Sequence, residues 1–548
     1  MLRTLIGIIA SLGVTFGVHA SARAATVTVN TTTPNSSTDN RCGLLEAVQA
    51  VNQGSTYRSC TYFADGQPGT IVFSTSAAGT HNLGTSALAI GRGMTITGRG
   101  QTGTIIRSSA PCTVCFSGDP AGAFSQLTLN NLTVQYAGGT ASAVGVRAIG
   151  TFGPFVGVSL HGVRVTGFNN AAADSAGMSL SGALVSGDIG NSTFDANKRG
   201  INVSNATLHL SNSTVSGNSN RGISAFYVDA DPVGYVHVYR STVRNNTATV
   251  GAGVFVDHPG AHFAPNQPTL FVEFSTISAN RATATNGNGG GIFTNGAVTI
   301  TGSTIDGNSA PSGSGGGVFH AGGSGIPFEM YDTTVSNNQA INGGGMFIQG
   351  HAFLFRSTIG PTNSASADGG GIYCSGQFQQ VENMTIDGNR ARRGGGVFFA
   401  GTEMHLEHST ISYNTATQSG EGGGLYAAGG QNRFSYNIIA KNTGSNFKFL
   451  GTLAARCRYN VSDDNSAFPS DTTGIPNPNN APNRNPQLDP TLKLAGGPTA
   501  VRLLMTQPTK SDAIDLIPAT ESLDETTLDQ RGLTRPRNGS KDAGAVEM

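Results

Sequence analysis

Residues 289–308 read GGGIFTNGAVTITGSTIDGN. Three glycines open the stretch, and an aliphatic–aromatic pair follows. The runs GIFT, AVTITG and STID are rich in β-branched residues and are separated by Gly, Asn and Ser. None has the length or the 3.6-residue period of a helix. The unit recurs along the chain. Its glycine signature returns as SGGGVFHAG (314–322), NGGGMFIQG (342–350), DGGGIYCSG (368–376), RGGGVFFAG (393–401) and EGGGLYAAG (421–429). A second signature, Ser-Thr-aliphatic-x-x-Asn, runs from STFDAN (192–197) through STVSGN, STVRNN, STISAN, STIDGN and TTVSNN to STISYN (409–414) and NIIAKN (437–442). Successive units lie about 27 residues apart, which is a solenoid period.

Three short strands with tight corners in about 27 residues predict an all-β fold, a parallel β-helix. Residues 90–445 would then form about 13 coils at a rise of ~4.8 Å, a rod on the order of 60 Å long. At the corners Gly adopts backbone angles that a Cβ resists. The repeated Asn can satisfy corner backbone groups and bond the same Asn in the coils above and below. Val, Ile and Phe at alternating positions fill the interior.

Composition narrows the function classes. Glycine accounts for 77 of 548 residues, charged residues for only 12%, and the formal net charge is zero. Nothing in that balance draws the chain to nucleic acid or to an anionic membrane. The N-terminal MLRTLIGIIASLGVTFGVHASARA has a basic Arg3, an apolar run from Leu5 to Val18 and the small-x-small site Ala22-Arg23-Ala24. It reads as a secretory signal peptide over residues 1–24. No later segment is apolar for long enough to span a bilayer. The expected product is a secreted or cell-surface monomer without a transmembrane segment.

In an oxidising compartment the six cysteines favour disulfides. Cys42 with Cys60 and Cys112 with Cys115 are plausible local pairs, and the pairing of Cys374 and Cys457 stays open. A zinc or redox role for the Cys112/Cys115 CxxC lacks a second ligand pair and a βαβ context.

The two ends differ from the middle. In DNRCGLLEAVQAVN (39–52), Leu44, Leu45, Val48 and Val51 recur at helical spacing, predicting a short amphipathic helix that covers the first coil. The segment RCGLLEAVQAVN also resembles the N-terminal CSLREA-type segment of bacterial secreted proteins, with Gly43 where Ser is usual and Leu45 where Arg is usual. Near the C-terminus, Asp529-Gln530-Arg531-Gly532, Arg535-Pro536 and Asp542-x-Gly544-Ala545-x-Glu547 resemble the choice-of-anchor Q domain. The two resemblances imply an exported, right-handed parallel β-helix protein, in a family of mixed activities. The domain organisation expected is a signal peptide (1–24), an N-terminal cap (25–89), the β-helix (90–445), a linker or long loop (446–487) and a C-terminal capping domain (488–548).

Stacking allows chemistry to be sought in vertical columns, because equivalent positions in neighbouring coils lie ~4.8 Å apart. The residue before the three glycines runs Asn288, Ser314, Asn342, Asp368, Arg393, Glu421. Its last three members could form a small charged active site, or a charge-complementary ladder in which Arg393 separates two acids; Arg390 and Arg392 make the neighbourhood basic. The residue after Ser-Thr-aliphatic includes Asp195, Asp306 and Asp387, never in adjacent coils, so that register builds no metal cage. His405, Glu407 and His408 in HLEH could ligate a metal but lack the helix of a zinc-protease motif, and no metal site is assigned. Phe255, Phe293, Phe319, Phe347, Tyr373, Phe398 and Tyr426 share one register. Consecutive strand residues face opposite sides, so this column is either a core stack or an outward platform on which sugar rings could pack.

The reading these observations favour is an exported, non-catalytic, adhesin-like β-helix protein that presents a long face to a polysaccharide or a cell-surface component and needs no cofactor. The alternative is a lyase or hydrolase acting on an acidic polysaccharide near Asp368, Arg393 and Glu421, for which Ca²⁺ would be a candidate cofactor.

Overall fold

A computed structural model describes residues 25–548 except 35–39, 65–67, 118–123, 140–141, 151–154, 173, 228–233, 259–268, 324, 454–456, 467–478, 522–526 and 537–538. The signal-peptide reading falls on residues 1–24, outside the described residues. The chain winds into a parallel β-helix. One long sheet stacks 16 strands, from Thr26–Val29 to Thr452–Leu453. A Ser/Thr sheet stacks 14 strands, from Gly79–Asn82 to Ile438–Ala440. An aromatic sheet stacks another 14, from Leu88–Ile90 to Phe447–Phe449. Thirteen strands of the long sheet, Met94–Thr97 through Gln431–Ser435, lie within 90–445, and its remaining strands extend the stack at both ends.

A fourth sheet was not expected. Seven middle coils add a short strand between the Asn corner and the glycines, from Thr247–Ala248 to Thr415–Ala416. Its cause is a column of alanines two residues after the repeated Asn. Ala248, Ala282, Ala310, Ala340, Ala365, Ala391 and Ala416 are all buried.

Strand alternation places the core. In Val298-Thr299-Ile300-Thr301 the aliphatics are buried and the threonines half-exposed, and the inward column Leu270, Val298, Phe328 is fully enclosed. The interior is a stack of hydrophobic side chains from Val27 to Cys457.

Each coil that carries the three glycines turns three corners, and each corner uses a left-handed residue. The first precedes the Ser of Ser-Thr and is held by unrelated residues, among them Asn191, Arg240, Phe274, Asp332, His408 and Tyr436. The second precedes the repeated Asn and is held by Ala196, Ala279, Asn337 and Tyr413, among others. The third is the first of the three glycines. A Cβ on Gly315 would lie 2.3 Å from the Val318 carbonyl oxygen, whereas one on Gly217, at the second corner, would meet nothing within 4 Å. The third corner therefore requires Gly and the second does not. The next glycine answers another constraint: a Cβ on Gly316 would lie 2.4 Å from the carbonyl of Gly344 in the next coil.

Two polar ladders hold the left-handed corners. The Asn ladder runs as expected: Asn280 Nδ2 donates to Asn308 Oδ1 at 3.0 Å, and Asn308 Nδ2 to Asn338 Oδ1 at 3.0 Å. A Ser ladder runs beside it, with the Ser213, Ser241 and Ser275 amides donating to the hydroxyls of Ser241, Ser275 and Ser303. The segment assigned to a linker continues the stack: Asn437 Nδ2 donates to Asn460, and Asn460 Nδ2 to Asn480, each at 3.0 Å.

The helix forms at Leu44–Gln53, and its buried face covers the start of the core. Gly43, just before the helix, leaves no room for a side chain. A Cβ there would lie 2.5 Å from the Thr33 carbonyl oxygen. The cap uses Glu46 instead: it accepts the Gly43 amide at 3.0 Å and pairs with Arg58 at 3.1 Å. A Cys42–Cys60 disulfide ties the helix start to the adjoining hairpin, and Cys112–Cys115 forms the second disulfide. Cys374 and Cys457 are buried outside both; burial pushes the Cys374 thiol up to about 12.

The described residues of 488–548 lie along the side of the stack, on the Ser/Thr sheet. Gln530 reaches Thr385 Oγ1 at 2.6 Å and the Ser357 carbonyl at 3.1 Å. Arg502 forms a two-pronged bond to Asp387, both contacts 2.7 Å and both side chains buried. Arg535, fully enclosed, binds Glu547, the Gly544 carbonyl and Asn383. Burial holds its guanidinium below the ordinary range, against the pull of Glu547 and Asp529. The covered rungs register the contact: Thr358, Thr385 and Thr410 are buried, while the equivalent Thr276, Thr304 and Thr334 remain partly exposed.

Candidate functional site

The structure brings together two of the three charged residues at the glycine corner. Arg393 clamps Asp368 through both nitrogens, Nε to Oδ1 at 2.8 Å and Nη2 to Oδ2 at 2.6 Å. Its guanidinium carbon lies 4.9 Å from the Phe398 ring centre and 5.4 Å from that of Tyr426. The Asp368 bond pushes the Arg393 pKa up. Glu421 makes no ion pair among the described residues. The clamped acid and the stacked guanidinium form a rung-to-rung brace, and Glu421 stands apart from it.

The aromatic column faces away from the core. Ile292 and Val318 point inward and are fully buried, while the adjoining Phe293 and Phe319 lie over the glycine corners. From Phe255 through Phe293, Phe319, Phe347, Tyr373 and Phe398 to Tyr426 the rings stack face to face, 4.6–5.4 Å apart and within 12° of parallel. Arg221 closes one end, 3.5 Å over Phe255. The placement is outward, but each inner ring spends both faces on its neighbours. A sugar ring packs its C–H face on a free aromatic face, and this column offers edges.

The HLEH residues separate. His405 faces outward and bonds Glu403 at 2.8 Å. Glu407 pairs with Arg433 at 2.7 Å. His408 turns the first corner, buried against Tyr436 with ring centres 4.7 Å apart. Among the described residues no three His, Cys, Asp or Glu side chains converge to hold a metal.

The richest surface is one that the sequence signatures did not mark: the outer face of the long sheet. Its outward central column runs Asp188, His209, His237, Phe271, Thr299, Glu329, Phe353, Gln380, His405, Arg433. The column beside it carries Tyr239, Glu273, Tyr331 and Phe355. These side chains are half-exposed for the most part; Phe271 meets Tyr235 and His237 edge-on and Phe353 meets Phe378 tilted, while Tyr331 and Phe355 stack 5.5 Å apart and within 10° of parallel. Polar groups are held between them. His237 Nε2 lies 3.0 Å from Glu273 Oε2, and Tyr235 Oη lies 3.0 Å from His209 Nε2. Burial pushes the Glu329 carboxyl up against an opposing bond from Tyr331, and burial next to Glu329 pushes the Tyr331 hydroxyl up to about 12. The signal was present in the strands VHVY, LFVE, AFLF, FQQVE and MHLE, where aromatic, His and Glu residues occupy alternate positions.

No protein-family model and no curated protein matches this chain. A search of solved structures finds a crystal structure of the pectate lyase Pel9A, 13% identical over 95% of each chain with a TM-score of 0.23. At that score the likeness lends none of the lyase's chemistry to this chain. The class defined by the fold is the parallel β-helix proteins. No helix among the described residues is long and apolar enough to cross a membrane.

Proposed function

We propose that the protein is an exported β-helix protein that binds a polysaccharide, free or on a cell surface, along the outer face of its long sheet. One observation carries this reading: the half-exposed Phe271 and Phe353, packed edge-on or tilted and not stacked, alternate there with His, Gln and Glu on a ladder many rungs long. Aromatic faces take the apolar side of a sugar ring, and the polar groups between them bond its hydroxyls. The regular backbone supports the side chains rigidly, so little ordering accompanies binding.

The test is affinity electrophoresis against a panel of soluble polysaccharides. Phe353→Ala should weaken retention by about tenfold, and Phe347→Ala, in the stacked column, should leave it unchanged in folded protein. Retention lost with Phe347→Ala but kept with Phe353→Ala would move the site to the glycine-corner face. Release of unsaturated products from a uronate polymer, abolished by Arg393→Ala in protein of unchanged stability, would replace the binding reading with a lyase centred on Asp368 and Arg393.

A further inference from the structure

The long face carries the same three-residue arrangement twice. In the first, His237 bonds Glu273 at 3.0 Å and meets the Phe271 ring edge-on, ring centres 5.8 Å apart and planes at 63°. In the second, His405 bonds Glu403 at 2.8 Å and meets the Phe378 ring edge-on, at 5.1 Å and 76°. His237 and His405 share the central column, and the six steps between them pass through Phe271, Thr299, Glu329, Phe353 and Gln380. At ~4.8 Å per step the two trios stand about 29 Å apart on one face. The coil repeat does not account for the likeness. Glu273 lies in the second column, whereas Glu403 precedes His405 on the same strand. Two different local sequences therefore arrive at one chemical arrangement: a half-exposed phenyl ring beside an imidazole that a carboxylate orients.

We propose that these trios are two subsites for a single linear, uncharged polysaccharide lying along the rod. The proposal rests on the glycan-binding reading above and names its ligand class. Charge selects the class. Asp188, Glu273, Glu329 and Glu403 stand on the outer face of this sheet, with Glu382 and Glu407 buried beside them, against one guanidinium in the columns, Arg433, which Glu407 already holds. Arg240 and Arg356 sit at the adjoining corner, the latter bound to Asp332. The chain as a whole is neutral, so the acidity is local to this face. It opposes a polyuronate. The half-exposed carboxylates Glu273 and Glu403 each already have a His partner. What they still offer is acceptor capacity, which suits sugar hydroxyls. Two subsites on a rigid support make the second contact intramolecular, with a gain on the order of 100-fold or more for a ligand that spans both.

The experiment measures binding of the full chain to β-1,4-linked mannan, xylan and glucan, to oligomers of each shorter and longer than the 29 Å span, and to polygalacturonate and chitosan. Phe271→Ala, Phe378→Ala and the double variant are compared, with thermal melts confirming the fold. The expected result is salt-independent binding of at least one neutral polymer, on the order of 100-fold tighter than its short oligomer. Either single variant should lose at least tenfold on the polymer yet stay within about twofold on the short oligomer, and the double variant should lose both. Single variants that change polymer affinity by less than twofold overturn the paired subsites. Tighter, salt-sensitive binding of polygalacturonate or chitosan overturns the uncharged ligand while leaving the face as a glycan site. Binding to no polymer at all overturns the glycan reading itself.

Discussion

At the scale of single residues, the fold is set by places where a side chain has no room or no alternative partner. Gly315 is one. A methyl group there meets the Val318 carbonyl oxygen at 2.3 Å, so Gly315→Ala is expected to cost several kcal/mol or to block folding, whereas Gly217→Ala, facing open space, should cost about 1 kcal/mol. Asn308 is another. Its amide donates to the Ile277 carbonyl at 2.9 Å and accepts the Asn280 backbone amide at 3.0 Å. Asn308→Ala leaves both buried groups unpaired and should lower stability by about 2–4 kcal/mol in urea denaturation. His320 sets an acid limit. Burial pushes its pKa down to about 4, against ~6.5 in an unfolded chain. Between those values the unfolded chain takes up a proton that the folded one refuses, so stability falls as pH drops from about 6.5 to about 4, by about 3 kcal/mol in full. His320→Leu should flatten that part of the pH–stability curve. These constraints differ in how visibly they are written. Gly315 and Asn308 repeat as letters because geometry admits one residue type. The first corner repeats only as a backbone angle, carried by Asn191, Arg240, Phe274 and Tyr436 alike, and no shared side-chain chemistry reveals it.

At the scale of elements, period and alternation made the strands legible, and the aromatic column shows where legibility stopped. Two adjacent apolar residues on a strand give no sign of which one faces the core. The decision came from the glycines, which leave a shelf over which Phe293 and Phe319 can lie. The candidate face was harder to see because its residues share a register without sharing an identity. Phe271, Glu329, Phe353 and His405 form a column only once the strands are aligned. The lateral docking of residues 488–548 was out of reach for a different reason: Gln530 bonds Ser357 across 173 positions, and no local pattern encodes such a contact. That element depends on a buried ion pair. Arg502→Ala strands the Asp387 carboxylate, which should cost about 3–5 kcal/mol at the docking surface. Limited proteolysis should then cut within 488–548 well before the coils, while Arg502→Lys, restoring the charge without the fork, should give an intermediate rate.

At the scale of the whole molecule, the rod divides its work between faces. The glycine-corner face is closed by stacked rings, the Ser/Thr face is partly occupied by the chain's own described residues of 488–548, and the outward residues of the long sheet stay half-exposed. A solenoid of this kind has mostly nearest-neighbour contacts, so damage at one rung should stay local. The lateral segment breaks that rule by coupling rungs between Arg356 and Tyr436 through Thr499, Gln530 and Gly544. Partial truncation into residues 488–548 is therefore expected to lower the protection of amides in 356–440 from hydrogen exchange, and to leave those in 190–310 unchanged.

The coupling also imposes an order in time. A polypeptide is made and exported from its amino end, and domains tend to fold in that order. Thr385 and Asp387 leave the ribosome more than a hundred residues ahead of Arg502 and Gln530, the side chains that cover them. A copy whose rod closes before residues 488–548 arrive would have one raw flank, a hydroxyl-lined strip around a carboxylate that only Ser412 holds. A stalled or clipped copy keeps that flank, and it is there that a surveillance protease or an unwanted neighbour would first tell an unfinished molecule from a finished one.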